Sequence, residues 1–141
     1  RCGNGSVTSP PIRSRTDMPT DTATTGKALV AALLSADATA IAACFTTDAR
    51  IRALTPPALR EREGAAEIGE LMSSWFADCE GLELLSQSAD AVVDRTHISY
   101  RLAGVKQGRG HCIIEQHLYA DMTGSHISDL SLVCSGFRPT G

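Results

Sequence analysis

The spacing of apolar residues changes along this chain and divides it into a helical part and a strand part. Over residues 22–35, and again after Asp37, apolar side chains recur every three or four residues. This spacing predicts two helices, with Asp37 as the N-terminal cap of the second, shorter one. Gly64 precedes a third predicted helix over residues 65–77, whose apolar stripe ends in Trp75 and Phe76.

Alternation of apolar and polar residues predicts strands on both sides of the third helix. An early strand has Ala49, Ile51 and Ala53 alternating with arginines, and it stops before two prolines. After Gly81 the alternation continues over residues 82–89, 92–94 leading into 96–103, 111–120 and 126–135, with glycine-containing turns between the last three segments. Since helices come first and a meander of strands follows, the pattern predicts an α+β fold with its helices on one side of an antiparallel sheet.

The last three predicted strands can be aligned so that one face of the sheet is almost wholly apolar. The alignment centres the first hairpin on Gln107 and the second turn on Gly124. The apolar face then consists of Ile98, Tyr100, Leu102, Cys112, Ile114, Gln116, Leu118, Ala120, Ser128, Leu130, Leu132 and Cys134. The opposite, mixed face consists of His97, Ser99, Arg101, His111, Ile113, Glu115, His117, Tyr119, Asp129, Ser131 and Val133. We expect the helices to cover the apolar face, although a slip of one residue would exchange the faces of a strand.

The length of 141 residues fits one domain, which we place at residues 22–141. Residues 1–21 are rich in Ser, Thr, Pro, Gly and Arg, and we expect a mobile tail because so few apolar side chains cannot offset the entropy of ordering. Met18 is a candidate for the natural start, in which case residues 1–17 would not belong to the natural protein.

Composition narrows the possible functions. A net charge of -3 provides no basic footprint for nucleic acid, and no apolar run is long enough for a transmembrane helix. The five cysteines form neither a CxxC pair nor a zinc-binding spacing, and the N-terminus lacks the apolar core of a secretory signal. We therefore expect a cytoplasmic protein that does not act on membranes and that binds no metal or cofactor.

Four segments carry a resemblance to a known family. They are residues 38–48 (ATAIAACFTTD), the strand ARIRAL, Gly64 with the helix AAEIGELMSSWF, and the closing strands CIIEQHLYADMTGSHISDLSLV. Together, over about residues 22–137, they resemble the nuclear-transport-factor-like superfamily in its SnoaL-like polyketide cyclase branch. The resemblance implies a cone-shaped fold, in which a curved sheet wraps around about three helices and encloses a cavity, often with a homodimer formed through the sheet. It also implies activities that range from cyclases, isomerases and epoxide hydrolases to members without catalysis, and the fold alone does not choose among them.

Candidate ligand-binding residues follow from the predicted faces. Tyr100 and Gln116 are the polar tips on the apolar face, where they could orient a ligand carbonyl or satisfy backbone groups. Trp75 could form an aromatic wall or fill the core. Arg52, beside Arg50 on the early strand, could reach the cavity mouth and pair with an anion, or belong to a solvated face.

Candidate catalytic residues all lie on the predicted mixed face. The resemblance implies that isomerase-like and cyclase-like members use a carboxylate inside the cavity, yet the apolar face carries none. Asp129, His117 and Glu115 would enter the cavity only if the register were slipped. His97 with Glu115 and His117 could also form a metal site or an acid–base pair, or simply a polar or dimer-facing surface.

Three functions remain open at this point. The first is a small-molecule-binding domain whose partner is a small hydrophobic molecule, with no assignable reaction. The second is an acid–base enzyme of the isomerase, cyclase or epoxide hydrolase type. The third is a dimeric interaction module that associates through the mixed face.

Overall fold

A computed structural model describes the backbone of residues 11–140 and the side chains of residues 23–140. Its helices are α1 (Pro11–Leu34), α2 (Ala38–Ala42) and α3 (Ala65–Ser74). Its strands are β1 (Phe45–Leu54), β2 (Leu59–Glu63), β3 (Cys79–Val92), β4 (Arg95–Lys106), β5 (Gly110–Thr123), β6 (His126–Cys134) and β7 (Arg138–Pro139). The predicted α+β class is confirmed.

The strands form one open sheet in the order β2-β1-β6-β5-β4-β3, with β7 added to β5. All neighbours are antiparallel except β1 and β6, which run parallel and are joined by a long connection that contains α3 and four strands. The sheet is therefore mixed, where the sequence pattern predicted a purely antiparallel one. Helix α1 packs on β3 at one edge and α3 packs on β1 near the other, so that the sheet curves around the helices.

The face of the sheet turned towards the helices is the predicted apolar face, which we call the inner face. Tyr100 and Leu132 are each 2% exposed and Gln116 is fully buried. On the opposite, outer face Tyr119 is 40% exposed and Val133 53%. The core continues into the helices through Leu29, Leu33, Ile41, Ile68, Met72 and Phe76.

The β4–β5 hairpin turns one residue later than predicted. Its turn is centred on Gly108 instead of Gln107, and Gly108 has a φ of +84°, a conformation that favours glycine. Tyr100 consequently lies opposite Gln116 instead of Ile114. When the centre of the turn moves by one residue, the cross-strand partner of each β4 residue moves by two residues along β5. Every side chain therefore stays on its predicted face, because side chains alternate with a period of two.

A bulge in the β5–β6 ladder was not predicted. Asp129 pairs with Asp121, whereas Ile127 pairs with the residue that follows Asp121, so Ser128 is an extra residue without a cross-strand partner. The bulge turns Ile127 into the core at the place that the pattern predicted for Ser128. The Ser128 hydroxyl instead donates a hydrogen bond to the Asp121 carbonyl.

The helices begin and end close to their predicted positions with one exception. Asp37 caps α2 as predicted, since its side chain accepts hydrogen bonds from the backbone N–H groups of Thr39 and Ala40. Helix α1 begins at Pro11, a residue type that suits the first turn of a helix, so it also covers residues 11–21, for which no helix was predicted. The predictions for residues 1–10 lie outside the described residues. No helix in the described part of the chain is both long and apolar enough to cross a membrane.

Candidate functional site

A cavity of about 300 Å³ lies where the inner face of the sheet meets the end of α3. Four segments surround it: the β1–β2 turn at residues 55–57, the end of α3 at residues 74–75, the β4–β5 hairpin, and the C-terminal segment at residues 134–138. Ile114 and Cys134 of the inner face form its floor, and the rings of Trp75 and Phe137 contribute aromatic surface.

Phe137 anchors the C-terminal segment beside the sheet. Its ring meets the ring of Phe76 edge-on, with the centroids 5.9 Å apart. The ammonium of Lys106 lies 4.2 Å from the centre of the Phe137 ring, and Arg109 donates a hydrogen bond of 3.1 Å to the Phe137 carbonyl. These contacts bring two cationic side chains of the β4–β5 hairpin to the cavity.

Gly136 allows the C-terminal segment to approach the β1–β2 turn. Its φ is +79°, and a Cβ at this position would come within 2.6 Å of the Pro56 ring. The Gly136 N–H also donates a hydrogen bond of 3.3 Å to the Cys134 sulfur. The chain thus closes one side of the cavity with a residue that has no side chain.

Lys106 connects the end of α3 to the sheet. Its ammonium donates to the Trp75 carbonyl at 3.1 Å and to the Asp78 carboxylate at 2.6 Å. The hydrogen bond from Lys106 lowers the pKa of Asp78 below its ordinary value. Trp75 is held in the cavity wall because its backbone is tied to β4 in this way.

The buried pair Tyr100 and Gln116 lies next to the cavity floor. The Tyr100 hydroxyl donates a hydrogen bond to the Gln116 side-chain oxygen, and burial, reinforced by the nearby Cys134, raises the pKa of Tyr100 well above its ordinary value. Gln116 lies directly opposite Cys134 and two residues beyond Ile114. Among the described residues, nothing accepts a hydrogen bond from Gln116 Nε2, and a buried polar nitrogen without a partner is rare in native proteins.

The predicted ligand-binding residues are only partly brought together. Trp75 lines the cavity, whereas Tyr100 and Gln116 are buried next to its floor. Arg52 is exposed on the outer face, where it lines a different groove of about 710 Å³ over β1, β2 and β6. The structure therefore does not place Arg52 at the mouth of the cavity, because it alternates with the buried residues Ile51 and Ala53.

The predicted catalytic residues lie on the outer face, away from the cavity. Asp129 lines the same outer groove as Arg52. His117 Nε2 is 2.9 Å from one Glu115 oxygen, and Arg101 donates two hydrogen bonds to the other. The hydrogen bonds from His117 and Arg101 lower the pKa of Glu115. The register that would have placed these groups in the cavity does not occur.

Two histidines of the outer face, His97 and His117, contact each other. His97 Nε2 and His117 Nδ1 share a hydrogen bond of 3.1 Å, and the His97 ring also stacks on Tyr119 with the centroids 4.8 Å apart. His97 Nε2 and His117 Nδ1 are thus hydrogen-bonded to each other. Within the described part of the chain, no group of three His, Cys, Asp or Glu side chains is arranged to hold a metal ion.

Several cavity residues were missed by the sequence reasoning. The cationic side chains of its lining are Arg60, Lys106, Arg109 and Arg138. Lys106 and Arg109 lie at the glycine-containing hairpin turn, Arg60 lies on an edge strand whose residues are all exposed, and Arg138 lies on the two-residue strand β7. Neither short strand has an apolar alternation that a sequence pattern could detect.

Comparison with known proteins provides the context of the fold. No family model and no curated protein matches the sequence. One similar solved structure is that of a protein from Catenulispora acidiphila with a ketosteroid isomerase-like fold, in complex with trimethylamine. The two sequences are 16% identical, the TM-score is 0.63, and the match covers 75% of this chain and 81% of that one. A candidate polyketide cyclase from Xanthomonas campestris is 14% identical with a TM-score of 0.66, over 82% and 90% of the two chains.

A third solved structure belongs to an NTF2-like protein from Burkholderia xenovorans. It is 12% identical with a TM-score of 0.61, over 83% of this chain and 91% of that one. At such identities the likeness concerns the fold and not the activity. The chain therefore has the cone-shaped NTF2-like fold that its sequence resemblance implied, shared with ketosteroid isomerase-like and polyketide cyclase-like proteins.

Proposed function

We propose that this protein is a small-molecule-binding domain whose ligand occupies the cavity beside Trp75. The observation that carries the proposal is the cavity itself, whose volume of about 300 Å³ lies at the lower end of the range of ligand pockets. Its apolar floor and two aromatic rings suit the apolar body of a small molecule. The complex of the Catenulispora protein with trimethylamine supports the proposal, since a protein of this fold was found with a small molecule bound.

Gln116 is the polar group that we assign to the deep end of the site. Its side-chain oxygen is engaged by Tyr100, but in the described structure its amide nitrogen has no partner. Gln116 is fully buried and is not part of the lining, but Cys134, which lies opposite it on β6, is. A ligand carbonyl that enters past Cys134 and reaches Gln116 Nε2 would supply the missing hydrogen bond.

Binding is better supported than acid–base catalysis. The described lining of the cavity contains no carboxylate and no imidazole. Tyr100 has a raised pKa and so remains a protonated hydrogen-bond donor at neutral pH. His117, Glu115 and Asp129, on which an acid–base mechanism would depend, lie on the other face of the sheet.

Trp75 provides a direct test, because it is the one tryptophan of the sequence and lines the cavity. We expect uncharged amphipathic compounds such as phenylbutanamide to change Trp75 fluorescence saturably and to raise the Tm. Ser74→Phe should abolish binding, because Ser74 lines the cavity and a phenyl ring would fill it. Ser73→Phe is the matched control, since the adjacent Ser73 is not part of the lining.

Two outcomes would contradict the proposal. One is a panel of small aromatic and aliphatic amides and carboxylates of which none changes the fluorescence or the Tm. The other is binding that survives Ser74→Phe as well as it survives Ser73→Phe, which would place the ligand elsewhere.

We also propose that two copies of the chain associate through the outer face. Tyr119 and Val133 are exposed there, and the neighbouring charges are already paired within the face, as between Arg101 and Glu115 at 2.7 Å. A surface with apolar side chains and internally paired charges loses little when it is buried against a copy of itself. Sedimentation velocity should show a dimer that Val133→Lys dissociates, whereas Val93→Lys, at an exposed valine in the turn between β3 and β4, should not. A monomeric wild-type chain at micromolar concentration would contradict this proposal.

A further inference from the structure

We infer that the ligand of this cavity is an amphipathic anion, with an apolar body against Trp75 and Phe137 and a carboxylate-like group held by Arg60 and Arg138. This inference rests on the proposed function and specifies the chemical class of the ligand. It follows from the distribution of charge around the cavity.

The charge of the cavity is opposite to that of the chain. The chain as a whole carries a net charge of -3. The described lining of the cavity nevertheless contains three arginines and one lysine and no acidic residue. A concave site lined by one sign of charge concentrates ligands of the opposite sign.

Most of this positive charge is uncompensated within the protein. Lys106 is neutralised by Asp78, and Arg109 donates only to a neutral carbonyl, that of Phe137. Arg60 and Arg138 make neither an ion pair nor a side-chain hydrogen bond with any described residue. Their guanidinium groups are therefore available to a ligand.

Arginines on the outer face have a different environment. Arg95 and Arg101 are paired with Asp121 and Glu115 at 3.0 and 2.7 Å. Arg52 makes no ion pair, but its groove also contains four carboxylates: Asp48, Glu61, Glu63 and Asp129. Among the described residues, the cavity beside Trp75 thus differs from the outer groove, because its arginines are unpaired and its lining has aromatic rings but no carboxylate.

The combination of groups indicates the form of the ligand. Guanidinium groups bind carboxylates through two parallel hydrogen bonds, and this geometry favours a planar anionic group. The aromatic rings and the apolar floor require an uncharged remainder. An aryl-alkyl or short alkyl carboxylate satisfies both requirements within the available volume.

A series of three compounds with the same body tests the sign of the charge: phenylbutyrate, phenylbutanamide and phenylbutylamine. By isothermal titration calorimetry at low salt, we expect phenylbutyrate to bind the most tightly and the protonated amine the most weakly. Each exposed guanidinium should contribute about two- to fivefold in affinity. The advantage of the acid over the amide should shrink as salt is added, because exposed charges are screened.

Single substitutions locate the anion. Arg60→Gln and Arg138→Gln should each weaken phenylbutyrate binding about two- to fivefold and leave phenylbutanamide unchanged. Neither change removes an ion pair or a side-chain hydrogen bond within the described protein, so the Tm without ligand should stay nearly the same. Arg52→Gln is the matched control, because it removes the same charge from an exposed arginine on the outer face.

The outcomes separate this inference from the proposed function. Equal binding of the acid and the amide, or equal weakening by Arg52→Gln and the two cavity variants, overturns the anionic ligand but leaves a binding cavity. Failure of all three compounds to bind overturns both. A preference for the acid that both cavity variants reduce, and that Arg52→Gln leaves intact, supports the inference.

Discussion

Tyr100 and Gln116 lie directly opposite each other on β4 and β5, and the Tyr100 hydroxyl donates a hydrogen bond to the Gln116 side-chain oxygen inside the core. Both side chains are buried. Within the described residues the pair is only half satisfied, because the amide nitrogen of Gln116 has no partner. The two residues therefore depend on each other for stability.

Tyr100→Phe should lower the free energy of unfolding by about 1–3 kcal/mol, because it leaves the whole Gln116 amide buried without a partner. Adding Gln116→Leu removes both polar groups, and we expect the double variant to recover most of the loss. Urea denaturation of the two single variants and the double variant measures this coupling. Additive losses would show that the two side chains act independently.

Tyr100 should also make stability depend on alkaline pH. Burial raises the pKa of Tyr100 well above its ordinary value of 10.0, so the unfolded chain loses this proton at a lower pH than the folded protein does. The resulting stabilisation is fully present below pH 10 and declines as the pH rises further, by at most about 1.4 kcal/mol per pH unit. Urea denaturation of the wild type across this range should show a steeper decline than Tyr100→Phe shows. Parallel declines would contradict the prediction.

Lys106 should stabilise the end of α3 and the C-terminal segment together. Lys106→Met removes the hydrogen bonds to Asp78 and to the Trp75 carbonyl, and also the cation–π contact with Phe137. We expect this substitution to lower the free energy of unfolding, measured by urea denaturation, by about 1–3 kcal/mol. The exposed Lys27 provides the control, since Lys27→Met should change the free energy of unfolding by less than about 0.5 kcal/mol.

The same lysine controls the titration of Asp78. The lowered pKa of Asp78 stabilises the protein above the ordinary carboxyl range, and this stabilisation is lost as the pH falls through the pKa of the folded state. In Lys106→Met the pKa of Asp78, followed by NMR, should rise towards its ordinary value. An unchanged titration would show that the ion pair is not formed in solution.

Gly69 should resist substitution despite its position inside a helix. Helix propensity favours alanine over glycine by about 1 kcal/mol, but a Cβ on Gly69 would lie 2.4 Å from the Ala38 carbonyl oxygen of α2. We expect Gly69→Ala to destabilise the protein by about 1–3 kcal/mol, because the rigid backbone of α2 has to move. Thermal denaturation tests this prediction. A higher Tm for Gly69→Ala would contradict it and would mean that α2 moves away from the new Cβ at little cost in free energy. Ser73→Ala, on the same helix, is the control.

The sequence alone determined the fold class and the two faces of the sheet. Alternation placed Tyr100 and Gln116 on the buried face and His117 on the outer one, and the structure has the same arrangement. Alternation reports only whether each residue is buried, which is a local property. It is unchanged when a strand shifts by two residues, and for this reason the faces were right while the partner of Tyr100 was wrong.

Tertiary structure decided which distant strands pair and which residues line the cavity. The parallel contact of β1 with β6, the bulge at Ser128 and the addition of β7 to β5 depend on which segments meet, and no local pattern contains this information. Arg60, Trp75 and Arg138 lie far apart along the chain and line one cavity only because those strands pair. Arg52 was placed at the mouth by its residue type, but its position next to buried Ile51 turned it outward. Local burial can be read from one segment, whereas a binding site is formed by long-range packing of several.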